Sequence, residues 1–288
     1  MDELTPTREG RLLAGSRHIH WEYFGEGRRE PLCLLNGLAM HTKAWYPLLP
    51  RVLGAHDVVL FDYPGQGESS ADDAPCEIPE FCHYLTRVLD GLGIARLHLM
   101  GISYGGFVAL EYGRLYQDRL HTLTLSGILL SHETLFEMYE DLSLRFYRAG
   151  PEAFDLYTHY MYEKIFGEAF VAAVGRHRLE TMRRRFHDRF RGQIHSLVRL
   201  TEAQDPFFAA LDANLPGYRA IATPTLVMAG AEDRAIPPWV QRKICDVLPN
   251  TRFLTIDGSG HVVYLEKPDV FWGTLLKFAA ARSLSFDA

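Results

Sequence analysis

Residues Arg96-Leu97-His98-Leu99-Met100-Gly101-Ile102-Ser103-Tyr104-Gly105-Gly106 decide the fold. Arg96–Gly101 is a short, mostly apolar run ending in glycine, which reads as a strand. Tyr104–Tyr116 carries apolar residues at helical spacing, so a helix opens at once behind it. Between the two lies Gly-x-Ser-x-Gly. At a strand–helix junction this pattern is a nucleophile elbow, a turn so tight that the serine is held in a strained backbone conformation. Gly101 and Gly105 flank Ser103 because side chains there would strike the neighbouring strand and helix. Gly106 lets that helix approach the sheet. The Ser103 hydroxyl then stands above the sheet, beside the helix N-terminus.

Outward from the elbow, short apolar runs alternate with helical patterns. His18–Phe24, Pro31–Leu35, Val58–Asp62, His121–Ser126, Thr225–Gly230 and Arg252–Asp257 read as strands. Several are apolar on consecutive positions, as in Val58-Val59-Leu60-Phe61, which suits strands covered on both faces. Glu80–Leu92, Val240–Leu248 and Val270–Ala281 read as helices. The alternation predicts right-handed βαβ units and a mostly parallel sheet. It breaks after Gly127. Residues 131–217 carry aromatic and charged residues at helical spacing and predict a helical cap, with Pro216-Gly217 marking the return. The expected division is a core of residues 11–130 and 218–288 with the cap inserted between. Residues 1–10 are polar and read as loose.

A serine hydroxyl is a poor nucleophile until a base takes its proton, and the base is normally a histidine oriented by a buried carboxylate. Behind such an elbow the chain order is serine, acid, histidine. Asp233 lies three residues beyond the strand-ending Gly230, with Glu232 and Asp257 as rivals. Of thirteen histidines, only His261 follows the last strand and a small glycine-rich loop, Gly258-Ser259-Gly260. Both loops lie at carboxyl ends of strands, the edge where open α/β sheets bind ligands. The oxyanion of a tetrahedral intermediate needs fixed donors. The main-chain N–H of Tyr104 is one. The second is expected from Asn36-Gly37-Leu38, where Gly37 permits the turn that aims the Leu38 N–H inward.

Bulk properties bound the rest. The chain has 288 residues, 47% hydrophobic and 23% charged, with a formal net charge of −6. A body of this size buries about 75% of the surface of its unfolded chain, enough for one large core. Nucleic acid as a partner is disfavoured, because it requires a basic surface. No apolar run approaches the ~18 residues of a membrane span. The N-terminus lacks the features of a signal peptide, so a cytoplasmic location is expected. Cys33, Cys76, Cys82 and Cys245 fit neither a disulfide framework nor a common zinc spacing. No metal or organic cofactor is expected. Phe61–Ser69 lacks the lysine of a phosphate loop and reads as a structural turn. The cap aromatics, Tyr139, Tyr147, Tyr157 and Tyr162 among them, either pack the cap or line an apolar acyl pocket. The run Arg183-Arg184-Arg185 is a solvated face or a docking patch for an anionic carrier.

Taken together these residues resemble the α/β-hydrolase superfamily over nearly the whole chain. Asp62-Tyr-Pro-Gly-Gln-Gly-Glu-Ser69 resembles the family's turn after a core strand. Gly101–Gly105 resembles the elbow, and Gly230–Asp233 and Gly258–His261 resemble the acid and base loops. The resemblance implies an α/β-hydrolase fold with a helical lid, Ser103, Asp233 and His261 as triad, and Leu38 and Tyr104 as oxyanion donors. It implies a serine esterase acting on a small-molecule acyl substrate. Asn36-Gly37, where many members have His-Gly, is similar to bacterial hydroxyacyl transferases that use acyl-carrier-protein or coenzyme A thioesters. An acyltransferase and a non-catalytic ligand receptor on the same fold are therefore the alternative expectations.

Overall fold

The computed structural model describes residues 4–72 and 74–287. Eight strands form one sheet: β1 (Arg8–Ala14), β2 (Arg17–Phe24), β3 (Pro31–Leu35), β4 (Asp57–Phe61), β5 (Leu97–Ile102), β6 (Leu120–Ser126), β7 (Thr225–Gly230) and β8 (Thr251–Ile256). Their spatial order is β1-β2-β4-β3-β5-β6-β7-β8. β2 is antiparallel to β1 and to β4, and every other pairing is parallel. The consecutive apolar residues have a simple cause. β4, β5 and β7 are buried at every position, because helices cover both faces of the sheet.

Side chains alternate across a strand, and the two faces feed separate cores. Cys33, Val59, Leu99, Leu125 and Val227 point to a layer with α1 (Ile78–Leu92) and α2 (Tyr104–Tyr116). Leu34, Leu60, Met100, Ile102 and Met228 point to the opposite layer. That layer holds Trp45 and Phe271, Trp272 and Phe278, the last three from the C-terminal helix.

Seven helices separate β6 from β7: α3 (Thr134–Arg148), α4 (Pro151–Ile165), α5 (Glu168–Val174), α6 (Arg176–Phe190), α7 (Ile194–Glu202), α8 (Asp205–Ala209) and α9 (Leu211–Arg219). Tyr147, Phe154, Tyr157, Phe190 and Leu197 give this segment a small core of its own. Beyond β7 come α10 (Pro238–Arg242), α11 (Val263–Glu266) and α12 (Pro268–Ala281). All four cysteines are free. Among the described residues, no helix is long and apolar enough to cross a membrane.

Three expectations are corrected. Arg8–Ala14, whose first three residues were expected to be loose, is a strand that pairs with β2 from Arg8 to Ala14. It is an edge strand whose outer residues are exposed, so it lacks the apolar run that marks the central strands. Pro216-Gly217 does not end the helical segment, since α9 runs to Arg219 with Pro216 inside it. Tyr218, fully buried, donates to Glu111 Oε2 at 2.8 Å and holds the chain in helical register past the proline. Val240–Leu248 is not one helix but α10 followed by a 3₁₀ turn over Lys243–Asp246.

The junction of β5 and α2 has no spare room. A Cβ at Gly101 would lie 2.2 Å from the Gly105 carbonyl oxygen and 2.7 Å from Ala109 Cβ. Gly101→Ala should therefore cost about 2 kcal/mol or more, the cost of overpacking against main chain. A urea midpoint close to that of the native chain would contradict this.

Candidate functional site

Ser103 bridges β5 and α2 with φ 48°, ψ −124°, a left-handed φ that a β-substituted residue adopts only under constraint. The constraint is visible. Its N–H donates to Ser126 O on β6 at 2.8 Å, and its carbonyl accepts from Gly106 N at 2.7 Å. A Cβ at Gly105 would sit 2.6 Å from the carbonyl oxygens of Leu35 and Asn36. The serine is thus lifted to the carboxyl edge of the sheet.

Asp233 follows β7 and has a fully buried side chain. Its Oδ1 accepts the N–H groups of Ala235 and Ile236 at 2.9 and 2.8 Å. Its Oδ2 accepts from Gln241 Nε2 at 3.0 Å and lies 2.8 Å from His261 Nδ1. Four contacts leave the carboxylate one orientation. The rivals go elsewhere: Glu232 Oε2 accepts the Glu168 N–H, and Asp257 has no contact with the imidazole.

The His261 side chain is 8% exposed. The main-chain N–H of His261 donates to Ile165 O at the end of α4, 2.7 Å away. Burial pushes the imidazole pKa down, but the charge of Asp233 and its hydrogen bond push it up, and the net shift is upward. Ser103 and His261 wall the same cavity, of about 280 Å³. No hydrogen bond joins their Oγ and Nε2 in this conformation. Such contacts commonly tighten only when substrate is bound.

Gly37 and Leu38 line that cavity together with Ser103 and Tyr104. The Leu38 N–H has no acceptor among the described residues. The Tyr104 N–H, in the first turn of α2, has no partner within the helix. The left-handed residue of this loop is Ala39, with φ 55°, and not Gly37, which corrects the role expected for the glycine. A Cβ at Gly37 would stand 3.2 Å from Met40 Sδ and in ordinary contact, 3.7 Å, with Ser103 Cβ. Asn36, fully buried, ties the loop down. It donates to Phe61 O and Asp62 Oδ1 at 3.1 and 3.2 Å and accepts from Trp45 Nε1 at 2.7 Å. Asp62 Oδ2 in turn accepts the Glu68 N–H at 3.1 Å, closing the turn 62–69.

Two supporting residues escaped sequence reasoning. Gln241, fully buried, donates to Asp233 and Ile236 O and accepts the Gly127 N–H at 2.9 Å. Its signal was an amide on the same helical face as Val240 and Ile244, where an apolar residue was due. Gly127 has φ 65°, and a Cβ there would lie 2.6 Å from His261 Cε1. Its place directly after a strand end was the available clue. Away from the cavity, Glu9, His20 and Glu22 bring possible ligand atoms within 4.8 Å of one another. His20 and Glu22 are already paired with each other, and Glu22 also accepts from Thr42.

Of the aromatic residues in α3–α9, Tyr139, Tyr147, Tyr157 and Tyr162 line the cavity. Tyr147 and Tyr157 also belong to the core of the helical segment, so packing and lining are not exclusive. Met138 does neither and is 62% exposed. Arg183 is no docking group. It is buried and bonded to Glu180, Asp155 and Thr158. Only Arg184 and Arg185 of that run are exposed.

The family described as the alpha/beta hydrolase fold matches residues 30–268. This chain is an α/β-hydrolase. It is similar to a putative carbamate hydrolase RutD of Azorhizobium caulinodans, 26% identical over 92% of this chain and 96% of that one. The corresponding protein of Pseudomonas savastanoi pv. phaseolicola is 30% identical over 88% of this chain and 94% of its own. Among solved structures, an α/β-hydrolase named MGS-M2 from a Medee basin deep-sea metagenome superposes with a TM-score of 0.86. It is 23% identical and covers 97% of this chain and 100% of its own. The enol-lactonase of Burkholderia xenovorans superposes at 0.78 with 20% identity, over 94% of this chain and 100% of its own. At such identities the structures speak for the fold of this α/β-hydrolase.

Gln241→Leu should leave the Gly127 N–H without an acceptor and remove one donor from Asp233. A loss of about 1–3 kcal/mol in stability is expected, together with lower turnover if Asp233 orients His261. Denaturant titration and kcat measured on the same preparation test both.

Proposed function

We propose that this α/β-hydrolase cleaves a carboxylic ester, or a related acyl bond such as a carbamate, through a covalent acyl-enzyme. Support comes above all from one contact, the 2.8 Å approach of His261 Nδ1 to Asp233 Oδ2 at the rim of a cavity that Ser103 also lines. Ser103 Oγ attacks the carbonyl carbon while His261 Nε2 takes its proton. Asp233 holds the imidazole in the tautomer with Nδ1–H and stabilises its charged form. The N–H groups of Leu38 and Tyr104 receive the oxyanion. His261 returns the proton to the leaving group, and a water activated by the same nitrogen then attacks the acyl-Ser103 carbonyl and restores the serine. The helices α3–α9 act as a cap whose rings exclude water and hold the apolar part of the substrate. The relatives named as carbamate hydrolases agree with acyl cleavage. The transferase alternative is weakened at one of its supports, since Arg183 is spent on Asp155 and Glu180 and only Arg184 and Arg185 of that run stay exposed.

A panel of p-nitrophenyl esters of graded chain length tests the reading. Ser103→Ala should lower turnover by roughly 10⁴ or more, and His261→Ala nearly as much, because triad members act as a unit. Unchanged turnover in Ser103→Ala would remove the assignment. Adding alcohol or thiol acceptors should divert little product.

The base must be neutral to accept a proton. Because the His261 pKa is raised, activity should be lost on acidification with a midpoint above the ~6.5 of a free imidazole. The acid limb of kcat/KM against pH checks this, and a midpoint below 6 would contradict it.

A further inference from the structure

One wall of the cavity carries a group that acyl transfer to Ser103 does not use. Phe136, Tyr139, Glu140, Ser143 and Tyr147 recur at helical spacing along α3 and face the cavity together. Glu140 stands in the middle of that stripe, and its Oε1 is buried without a hydrogen-bond partner. The neighbouring hydroxyls do not serve it. Ser143 Oγ donates to Tyr139 O at 2.8 Å, and Thr201 Oγ1, across on α7, donates to Leu197 O at 2.9 Å.

The charges acting on Glu140 are also acidic: Asp205 on α8 and Glu137 one turn earlier on α3. The phenols of Tyr104 on α2 and Tyr147 on α3 feel its field and carry no positive charge. Arg148 acts on Asp205 and is itself paired with Glu202 at 2.6 Å. Burial first, then Asp205 and Glu137, push the Glu140 carboxyl up to about 8. An unpaired buried carboxylate is costly. Among the described residues no base acts on Glu140 itself, and an acidic group so placed, bordered by aromatic faces, is complementary to a cation that also offers N–H donors.

We infer that Glu140 is the specificity-determining residue of this cavity and selects substrates bearing a protonated primary amine remote from the scissile bond. The inference rests on reading the cavity as the acyl-transfer site. Binding of such an amine draws the carboxyl into its ionised form and releases a proton to solvent. Its affinity therefore rises with pH toward about 8, where the free carboxyl would ionise unaided. The amine itself stays protonated throughout that range.

Calorimetry on the Ser103→Ala protein, with hexylamine and hexanol as probes, separates this from catalysis. Hexylammonium should bind about 10-fold tighter or more, the scale of a charge-assisted hydrogen bond. The preference should grow from pH 6 to pH 8 and collapse when Glu140→Gln is added. The doubly substituted protein should melt close to Ser103→Ala, since the amide fills the same space as the neutral carboxyl. Equal affinities for the two probes, no binding of either, or a preference that survives Glu140→Gln would each overturn the inference. In the native chain, hexylammonium should compete with p-nitrophenyl butanoate. Native chain without ester turnover but with an intact, Glu140-dependent preference would refute the hydrolase reading alone. Turnover without the preference would refute the role of Glu140 alone.

Discussion

The backbone of β5 touches the backbone of α2 at the elbow, and this contact governs what the rest of the molecule can do. Strand and helix approach so closely that Gly101 and Gly105 have no room for a β-carbon. Ser103 between them has no relaxed conformation available and keeps φ 48°. The strain is held by the sheet on one side, through the Ser126 carbonyl, and by the first turn of α2 on the other. A hydroxyl presented this way points out of the sheet edge. Four more parts of the site reach that edge on loops following strands: the Leu38 loop after β3, Gly127 after β6, Asp233 after β7 and His261 after β8.

Those loops are fixed by polar contacts rather than by packing. Asp233 makes four, Asn36 makes three, and Gln241 joins the loop after β6 to the loop after β7. Such networks are strong only when every member is satisfied. Glu140 is conspicuous against this background, as a buried carboxyl oxygen with no partner within a wall of rings.

Much of this was legible in the sequence, and its limits have physical causes. The central strands were readable because burial on both faces demands unbroken apolar runs. β1 was not, because an edge strand is selected by only one neighbour and tolerates Arg8, Glu9 and Arg11. The elbow, Asp233 and His261 were readable because glycine spacing and chain order are local or nearly so. Gln241 and Gly127 were not, because their importance lies in contacts more than a hundred residues apart in sequence. The role of Gly37 was misplaced onto backbone freedom, since the residue of that loop with a left-handed φ is Ala39, which composition does not flag. The arginine run looked like a charged face because sequence counts charges, whereas Arg183 is folded inward onto Glu180 and Asp155.

The histidine loop is stitched to the end of α4. The His261 N–H is held by Ile165 O, Arg234 reaches the Glu163 and Phe166 carbonyls, and Gly167 and Gly260 approach without space for side chains. The helical segment and the imidazole are therefore mechanically one part at this corner. If the helices part to admit a ligand, this seam has to hold. A displacement that broke this seam would carry the base off its carboxylate at the same stroke, so access and competence are tied to a single joint.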